Sequence, residues 1–164
     1  MPKPDRIVIN TSPLIALVAA LGDLSLLKNL ESEVLVPFEV CQEILTGDSS
    51  RFAAAEFQAA LKLNKQTTPL KISPFLLNSL DLGEASVIQL ALNESITTVC
   101  IDEAVGRRYA RLSGLSVTGS IGILIRAKRE GYPISIKTAI EQMLHRGIRL
   151  STTVINTALK QAGE

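Results

Sequence analysis

The sequence has no tryptophan, one histidine and two cysteines, and each shortage excludes a class of site. Cys41 and Cys100 lie in apolar segments without a CxxC or Cys/His spacing, so we expect two buried, reduced thiols rather than a disulfide framework. His145 has no second histidine with which to bind a metal. The longest apolar run, residues 14–21, is shorter than the roughly 18 residues that a membrane span needs, and the start of the chain lacks a signal-peptide pattern. We therefore expect a cytoplasmic protein without a membrane segment.

The 164 residues are 46% hydrophobic and 20% charged, which is typical of one globular domain, here residues 1–164, with the helices of about 135–164 packed on it. The net charge of +1 conceals an uneven distribution. Residues 1–100 carry 7 basic and 11 acidic side chains, whereas residues 101–164 carry 10 and 5. A basic surface for a polyanion would produce this pattern, and so would ordinary solvated helix faces.

Short apolar runs alternate with helical segments along the chain, and this alternation predicts the fold class. Strands are predicted at residues 6–9, 34–36, 97–101 and 115–118, with an edge strand at 70–72. Helices are predicted at residues 13–21, 23–30, 38–46, 51–63, 75–80, 83–93, 103–112 and 120–130, followed by two helices capped by Ser135 and Ser151. The pattern predicts a Rossmann-like, three-layer α/β/α fold with a central parallel sheet.

Polar residues follow the predicted strands. In a parallel sheet the carboxyl ends of the strands meet at one edge, so Asn10, Asp102 and Ser120 are expected near one crevice. Glu84 stands at a predicted helix start, and Glu43 lies in the helix after the second strand. Carboxylate, amide and hydroxyl oxygens suit Mg²⁺ or Mn²⁺ better than zinc.

Each of these residues also has a structural interpretation. Asn10 and Ser12 could serve as turn and helix cap, and Glu84 could be a favourable charge at a helix N-terminus. Glu43 could be exposed, and Asp102 could cap the helix that follows it.

Five motifs occur in a fixed order along the chain, and the ordered set is far more specific than any single motif. In chain order the motifs are Asn10-Thr-Ser-Pro-Leu-Ile15, Val36-Pro-Phe-Glu-Val-Cys-Gln-Glu43, Leu80-Asp-Leu-Gly-Glu-Ala85, Ile101-Asp-Glu103 and Val117-Thr-Gly-Ser120. The set resembles the PIN-domain family of metal-dependent ribonucleases over about residues 6–150, and more narrowly a prokaryotic PIN-like branch marked by Asn-Thr-Ser-Pro-Leu-Ile.

This resemblance implies a PIN-like fold and an endoribonuclease that hydrolyses RNA with Mg²⁺ or Mn²⁺. It implies that Asn10, Glu43, Glu84 and Asp102 surround the metal, that the three acids are catalytic, and that Ser12 and Ser120 support them. A toxin–antitoxin role with an antitoxin partner, and a homodimer, are further family expectations.

One departure from the family keeps alternatives open. Most active PIN nucleases have aspartate where this chain has Asn10, and a neutral amide is a weaker ligand for a hard cation than a carboxylate. The alternative is a catalytically weakened PIN-like module that binds nucleic acid or protein. A third hypothesis is a Mg²⁺-dependent phosphohydrolase. Such enzymes commonly have a nucleophilic aspartate at the position that Asn10 occupies, which counts against this hypothesis.

Basic residues of two predicted helices are candidates for binding the RNA backbone by charge. They are Arg107, Arg108, Arg111, Arg126, Lys128 and Arg129. Each could equally be an ordinary exposed helix residue. Since aromatic residues make up only 4% of the chain, few rings are available to stack on bases.

Overall fold

The protein is described by a computed structural model that covers residues 6–47 and 52–164. Within these ranges five strands form one sheet in the order β3-β2-β1-β4-β5, and every neighbouring pair is parallel. The strands are β1 (Arg6–Ile9), β2 (Glu33–Val36), β3 (Asn64–Lys65), β4 (Thr98–Cys100) and β5 (Ser116–Thr118). The predicted α/β class with a parallel sheet is confirmed.

Ten helices connect and flank the strands in the described part of the chain. They are α1 (Thr11–Leu21), α2 (Ser25–Leu30), α3 (Phe38–Thr46), α4 (Ala53–Ala59), α5 (Pro74–Leu77), α6 (Leu82–Asn93), α7 (Ala104–Leu112), α8 (Ser120–Arg129), α9 (Ile136–His145) and α10 (Thr152–Ala162). Most bounds agree with the predicted helices to within two residues. Residue 51, where the fourth helix was predicted to begin, lies outside the described residues.

Helices cover both faces of the sheet and give the fold three layers. Helices α6 and α7 pack together on one side, and α1, α8 and α9 pack together on the other. Both α1 and α6 are buried almost all round, as expected for the central helix of each layer. Helix α10 packs on α8 and α9.

Both cysteines are buried and free, as predicted, and no helix in the described ranges is long and apolar enough to span a membrane.

Two local predictions are wrong. The edge strand is Asn64–Lys65 rather than residues 70–72, because the backbone N–H of Leu70 donates to the Glu39 carboxylate (2.8 Å) instead of joining the sheet. Polar Asn and Lys have low β propensity, so the short β3 has no recognisable sequence signal. Ser12 is not the cap of α1: the helix starts at Thr11, two residues before its predicted start, with Asn10 in the capping position.

The strand order places a switch point beside β1. From β1 the chain runs outward to β2 and β3, and then returns to add β4 and β5 on the other side of β1. Ligands of open α/β sheets bind in the crevice outside the carboxyl ends of the strands at such a point. Here the two strands concerned are β1 and β4, which are followed by Asn10 and by Ile101-Asp102. The Asn10 backbone N–H donates to the Cys100 carbonyl (3.0 Å), which ties the two strand ends together.

Candidate functional site

Asp102 is held at the end of β4 by the first residue of α8. The Ser120 backbone N–H donates to Asp102 Oδ1 (2.8 Å), and the Ser120 hydroxyl donates to Oδ2 (2.9 Å). Burial raises the pKa of Asp102, while these hydrogen bonds and the nearby Arg107 charge oppose the rise. Glu103, not Asp102, occupies the capping position of α7. The proposed role as cap of the following helix is therefore wrong, since Asp102 instead binds the first turn of α8.

Glu84 carries a buried carboxyl group in the first turn of α6. Its backbone N–H donates to Oδ1 of Asp81, the N-cap residue, at 2.8 Å, while its side chain turns inward and the residue is only 6% exposed. Burial, followed by the Asp81 charge, raises the pKa of Glu84 to about 7. Glu84 Oε2 is buried and meets no hydrogen-bond donor within the described ranges. This burial and the missing donor are unlike an ordinary solvated charge at a helix N-terminus.

Asn10 is buried at the carboxyl end of β1, at 4% exposure. Although it occupies the capping position of α1, its side chain accepts no capping hydrogen bond from the described part of the chain. Its Oδ1 atom is buried without a donor among those residues. Buried acceptors are normally satisfied, so an oxygen left in this state is a place where a bound ligand or ion would lower the free energy.

Glu43 approaches the same place from α3, although it is exposed. A Cβ atom placed on Gly83 would lie 3.1 Å from Asn10 Oδ1 and 3.5 Å from Glu43 Oε2. Asp81 Oδ1 would also be 3.5 Å from it. The structure thus brings Asn10 and Glu43 together around Gly83, and it adds Asp81, which sequence reasoning missed.

Two further glycines give room to the other carboxylates. A Cβ atom on Gly106 would lie 2.5 Å from Glu84 Oε2, and one on Gly119 would lie 2.7 Å from Asp102 Oδ1. Both distances are shorter than van der Waals contact, so any larger residue would displace the carboxylate. Gly106 lies inside α7, where glycine costs about 1 kcal/mol relative to alanine. That cost is the sequence signal by which Gly106 could have been recognised.

The donor atoms fit a hard divalent cation in their chemistry. Carboxylate and amide oxygens are the ligands that Mg²⁺ and Mn²⁺ prefer, and two of them, on Asn10 and Glu84, are buried without a hydrogen-bond donor in the described chain. Within residues 6–47 and 52–164, however, no three Asp, Glu, His or Cys side chains are grouped closely enough to hold a metal. The carboxylates alone therefore do not form a complete coordination shell. Asn10 is not one of these four residue types, and its amide oxygen is an additional ligand beside them.

A cavity of about 780 Å³ opens beside Asp102. Ser12, Asp102, Arg107 and Ser120 line one part of it. Another part, which we call the C-terminal wall, consists of residues 147–151 and Val154. Arg149 belongs to this wall and was missed at the sequence level, because only the fold brings a segment between two C-terminal helices next to the end of β4.

The basic residues that were predicted to bind RNA divide between two edges of the sheet. Arg107 lines the cavity and donates to the Ile101 carbonyl (2.9 Å), while Arg108 and Arg111 are exposed further along α7. Helix α8 runs from Ser120 at the carboxyl edge to the amino edge, where Arg126 donates to the Leu30 carbonyl (2.8 Å). Arg126, Lys128 and Arg129 therefore lie far from Asp102.

Two of the residues at the amino edge already have ion-pair partners. Arg126 pairs with Glu31 and, at 2.8 Å, with Glu130. Lys128 pairs with Glu164 (2.6 Å), whose carboxylate also accepts the Ile136 backbone N–H (2.7 Å). The pairs with Glu31 and Glu164 connect α8 to distant parts of the chain, so they support a structural role for Arg126 and Lys128.

The parallel sheet flanked by helices agrees with a comparison of the chain with known families. The family model described as a PIN domain matches residues 6–164. The matched span contains every candidate site residue and the C-terminal wall. No curated protein matches the chain.

Proposed function

The chain belongs to the PIN-domain family, a nuclease-type fold, and from this premise we propose that it is a divalent-metal-dependent endoribonuclease that hydrolyses RNA phosphodiester bonds. One observation carries the proposal. Asn10 and Asp102 follow the two strands at the switch point of the sheet, where α/β proteins bind their ligands. Buried oxygens of Asn10 and Glu84 that lack a donor in the described chain add support for a bound cation.

The proposed ligands of Mg²⁺ or Mn²⁺ are Asn10, Glu43, Glu84 and Asp102, with Glu43, Glu84 and Asp102 as the catalytic acids. When bound, such a cation lowers the pKa of a water and neutralises charge that develops on phosphate oxygens. Ser12 and Ser120 are supporting hydroxyls in this proposal. They are favoured because both line the cavity beside Asp102.

The side chains contribute orientation and charge. Ser120 fixes the Asp102 carboxylate through both oxygens and favours its ionised form. Glu84 has a pKa of about 7, so near neutral pH the carboxyl group is partly protonated, and a bound cation would favour its carboxylate form. The Arg107 guanidinium uses one N–H to bind the Ile101 carbonyl, which holds it beside the cavity, and it retains further donors for a phosphate.

The second candidate is a PIN-like module that binds nucleic acid or protein without cleaving RNA, and Asn10 favours it. A neutral amide in place of a carboxylate lowers the negative charge available to a cation.

The toxin role, the antitoxin partner and the homodimer are extensions of the nuclease proposal that rest on the family alone. We also treat residues 1–164 as one functional domain, since α9 packs on α1 and α10 packs on α8.

The test begins with metal and continues with RNA. Mn²⁺ is titrated by calorimetry into the wild type, Asp102→Asn, Glu84→Gln and the control Glu141→Gln, which changes an exposed acid on α9. We expect saturable binding by the wild type and the control and its loss in the two site variants. The same four proteins are then compared in Mg²⁺-dependent cleavage of a mixed pool of single-stranded RNA.

Each outcome separates the two candidates. Cleavage that requires Mg²⁺ and disappears in Asp102→Asn and Glu84→Gln supports the nuclease. Undiminished cleavage by both variants contradicts the site assignment. If the wild type binds no Mn²⁺ at millimolar concentration, with or without RNA, the binding module becomes the better proposal.

A further inference from the structure

We propose that the cavity beside Asp102 binds the nucleotide adjacent to the scissile phosphate of RNA, and that Arg149 of the C-terminal wall contacts the RNA backbone there. This inference rests on the proposed nuclease function and names a substrate subsite for it. It is carried by the position of the cavity, its lining, and the geometry that fixes Arg149.

The position of the cavity connects it to the candidate metal site. Asp102 and its partner Ser120 both line the cavity, whereas Asn10, Glu43 and Glu84 are not among its described lining residues. The cavity therefore extends away from Asp102 on one side of the site. A substrate phosphate near Asp102 would place one neighbouring nucleotide in this space. The volume of about 780 Å³ falls within the range of about 300–1,000 Å³ that is typical of small-ligand sites, and it far exceeds the size of a lone phosphate.

The lining combines apolar and polar groups as a nucleotide requires. Branched aliphatic side chains come from α1, β5, α8 and the C-terminal wall, namely Ile15, Val117, Ile121, Ile125, Ile148, Leu150 and Val154. They offer apolar surfaces to the faces of a base or ribose. The described lining contains no aromatic ring, so the base would be held by aliphatic contact rather than by ring stacking. The hydroxyls of Ser12, Thr118 and Ser151 supply hydrogen bonds without a net charge.

Two arginines enter the cavity from different elements. Arg107 comes from α7, and Arg149 comes from the segment between α9 and α10. In residues 6–47 and 52–164 no hydrogen bond or ion pair engages the Arg149 guanidinium, in contrast to Arg126 and Lys128. The negative charges at the cavity, Asp102 and Glu103, come from the segment after β4, where Arg107 also lies beside Asp102. Arg149 comes from a distant segment of the chain and adds a second positive charge to the lining, which fits a phosphate backbone that passes from the cation into the cavity.

Arg149 is presented by a defined turn. Gly147 ends α9 in the left-handed conformation (φ 88°), where glycine is favoured. The Gly147 N–H donates to the Leu144 carbonyl (3.1 Å) and the Ile148 N–H to the Met143 carbonyl (2.9 Å), which is the Schellman pattern. Two residues beyond Arg149, the Ser151 hydroxyl caps α10 by accepting the Val154 N–H (3.1 Å). Because the backbone at both ends of the wall is hydrogen-bonded, little backbone entropy is lost when RNA binds, and the cost is confined to side chains such as that of Arg149.

The test measures RNA and metal binding separately. A fluorescein-labelled single-stranded RNA of mixed sequence is titrated by anisotropy in EDTA, which prevents metal-dependent cleavage, and Mn²⁺ affinity is measured by calorimetry. The variants are Arg149→Gln, which removes the charge, and Val154→Trp, which fills the cavity without changing the charge. Lys137→Gln is the charge-matched control, since Lys137 is exposed on α9 and is not among the lining residues of the cavity.

We expect Arg149→Gln and Val154→Trp each to weaken RNA binding about tenfold and to leave Mn²⁺ affinity unchanged, while Lys137→Gln changes neither. Arg149→Gln should also lower the salt dependence of binding by about one phosphate contact. Wild-type RNA binding by both cavity variants, or no RNA binding by the wild type, overturns the subsite, even if Mn²⁺ binding upholds the nuclease. Absence of Mn²⁺ binding, with RNA binding that still depends on Arg149, instead overturns the nuclease and leaves an RNA-binding cavity. Thermal denaturation verifies that each variant is folded.

Discussion

Ser120 binds both carboxylate oxygens of Asp102, one through its backbone N–H (2.8 Å) and one through its hydroxyl (2.9 Å). Because Ser120 opens α8 immediately after β5, the orientation of Asp102 depends on the pairing of β5 with β4. Asp102, which follows β4, is thus positioned by Ser120, which follows the neighbouring strand β5.

Ser120→Ala removes the hydroxyl hydrogen bond and keeps the backbone bond. Since that hydroxyl favours the ionised carboxylate, we expect the pKa of Asp102 to rise further and Mn²⁺ affinity to fall by about tenfold, with a larger loss at pH 6 than at pH 8. Calorimetry at both pH values measures the effect. Ser113→Ala is the control, because the Ser113 hydroxyl donates to the Tyr109 carbonyl at the far end of α7. An unchanged affinity at both pH values would exclude Asp102 as a ligand oriented by Ser120.

Glu84 should make the metal-free protein less stable as the pH rises. Its folded pKa of about 7 lies above the ordinary value of 4.5, so the folded state binds the proton more tightly than the unfolded state. This contribution to stability is complete below pH 4.5 and is lost as the pH rises through 7. The difference in the free energy of unfolding between Glu84→Gln and the wild type should therefore shift in favour of the variant as the pH rises from 5 to 8.5, by on the order of 2 kcal/mol. Urea denaturation in EDTA at the two pH values measures the gain, and parallel pH profiles for the two proteins would contradict a raised pKa.

Gly106→Ala should be destabilising because its Cβ would lie 2.5 Å from Glu84 Oε2 and 2.9 Å from Ile101 Cγ2. We expect a loss of about 1–3 kcal/mol in the free energy of unfolding, as for other overpacked sites. In a Glu84→Ala background one of the two clashes disappears, so the loss should be smaller. A double-mutant cycle of chemical denaturation measures this coupling. Additive effects would show that Glu84 does not occupy the space above Gly106.

Asn10→Asp places a carboxylate where the structure has a buried amide. Without metal the buried charge has a desolvation cost, so we expect thermal stability in EDTA to decrease. With Mn²⁺ the new carboxylate is a stronger ligand, and affinity should rise about tenfold or more. Thermal denaturation with EDTA and with Mn²⁺ compares the two proteins. If Mn²⁺ stabilises wild type and variant equally, Asn10 lies outside the coordination shell.

Arg126→Gln should reduce stability rather than RNA binding. The Arg126 guanidinium pairs with Glu31, whose side chain is 2% exposed, and it also donates to the Leu30 carbonyl. Removal of one partner of a largely buried pair costs roughly 3–5 kcal/mol, and partial exposure of Arg126 brings the expected loss to the lower end. Arg129→Gln should have little effect on stability, since Arg129 is exposed. A tenfold loss of RNA affinity in folded Arg126→Gln would restore it as an RNA-binding residue.

The sequence predicts features that depend on local pattern. The short apolar, β-branched runs predict β1, β2, β4 and β5, and the serines at positions 135 and 151 predict the starts of α9 and α10. The strand ends also predict which polar residues face the crevice. The features that were missed depend on residues distant in sequence: the carboxylate contacts of Gly106 and Gly119, the ion pair of Arg126 with Glu31, and the C-terminal wall. No local pattern specifies those contacts, because each forms only when helices from different parts of the chain pack together.

The pairing of β1 with β4 has a consequence for folding. It joins Ile7 to Thr98 across most of the first hundred residues, and such non-local pairings form slowly because the entropy of closing a long loop is lost before the contacts compensate for it. A chain in which only β1, β2 and β3 have assembled has ordered the elements that carry Asn10 and Glu43, but not the end of β4 that carries Asp102. The candidate site therefore comes into existence only when β4 and β5 join the sheet, so any activity it supports would be restricted to fully folded molecules.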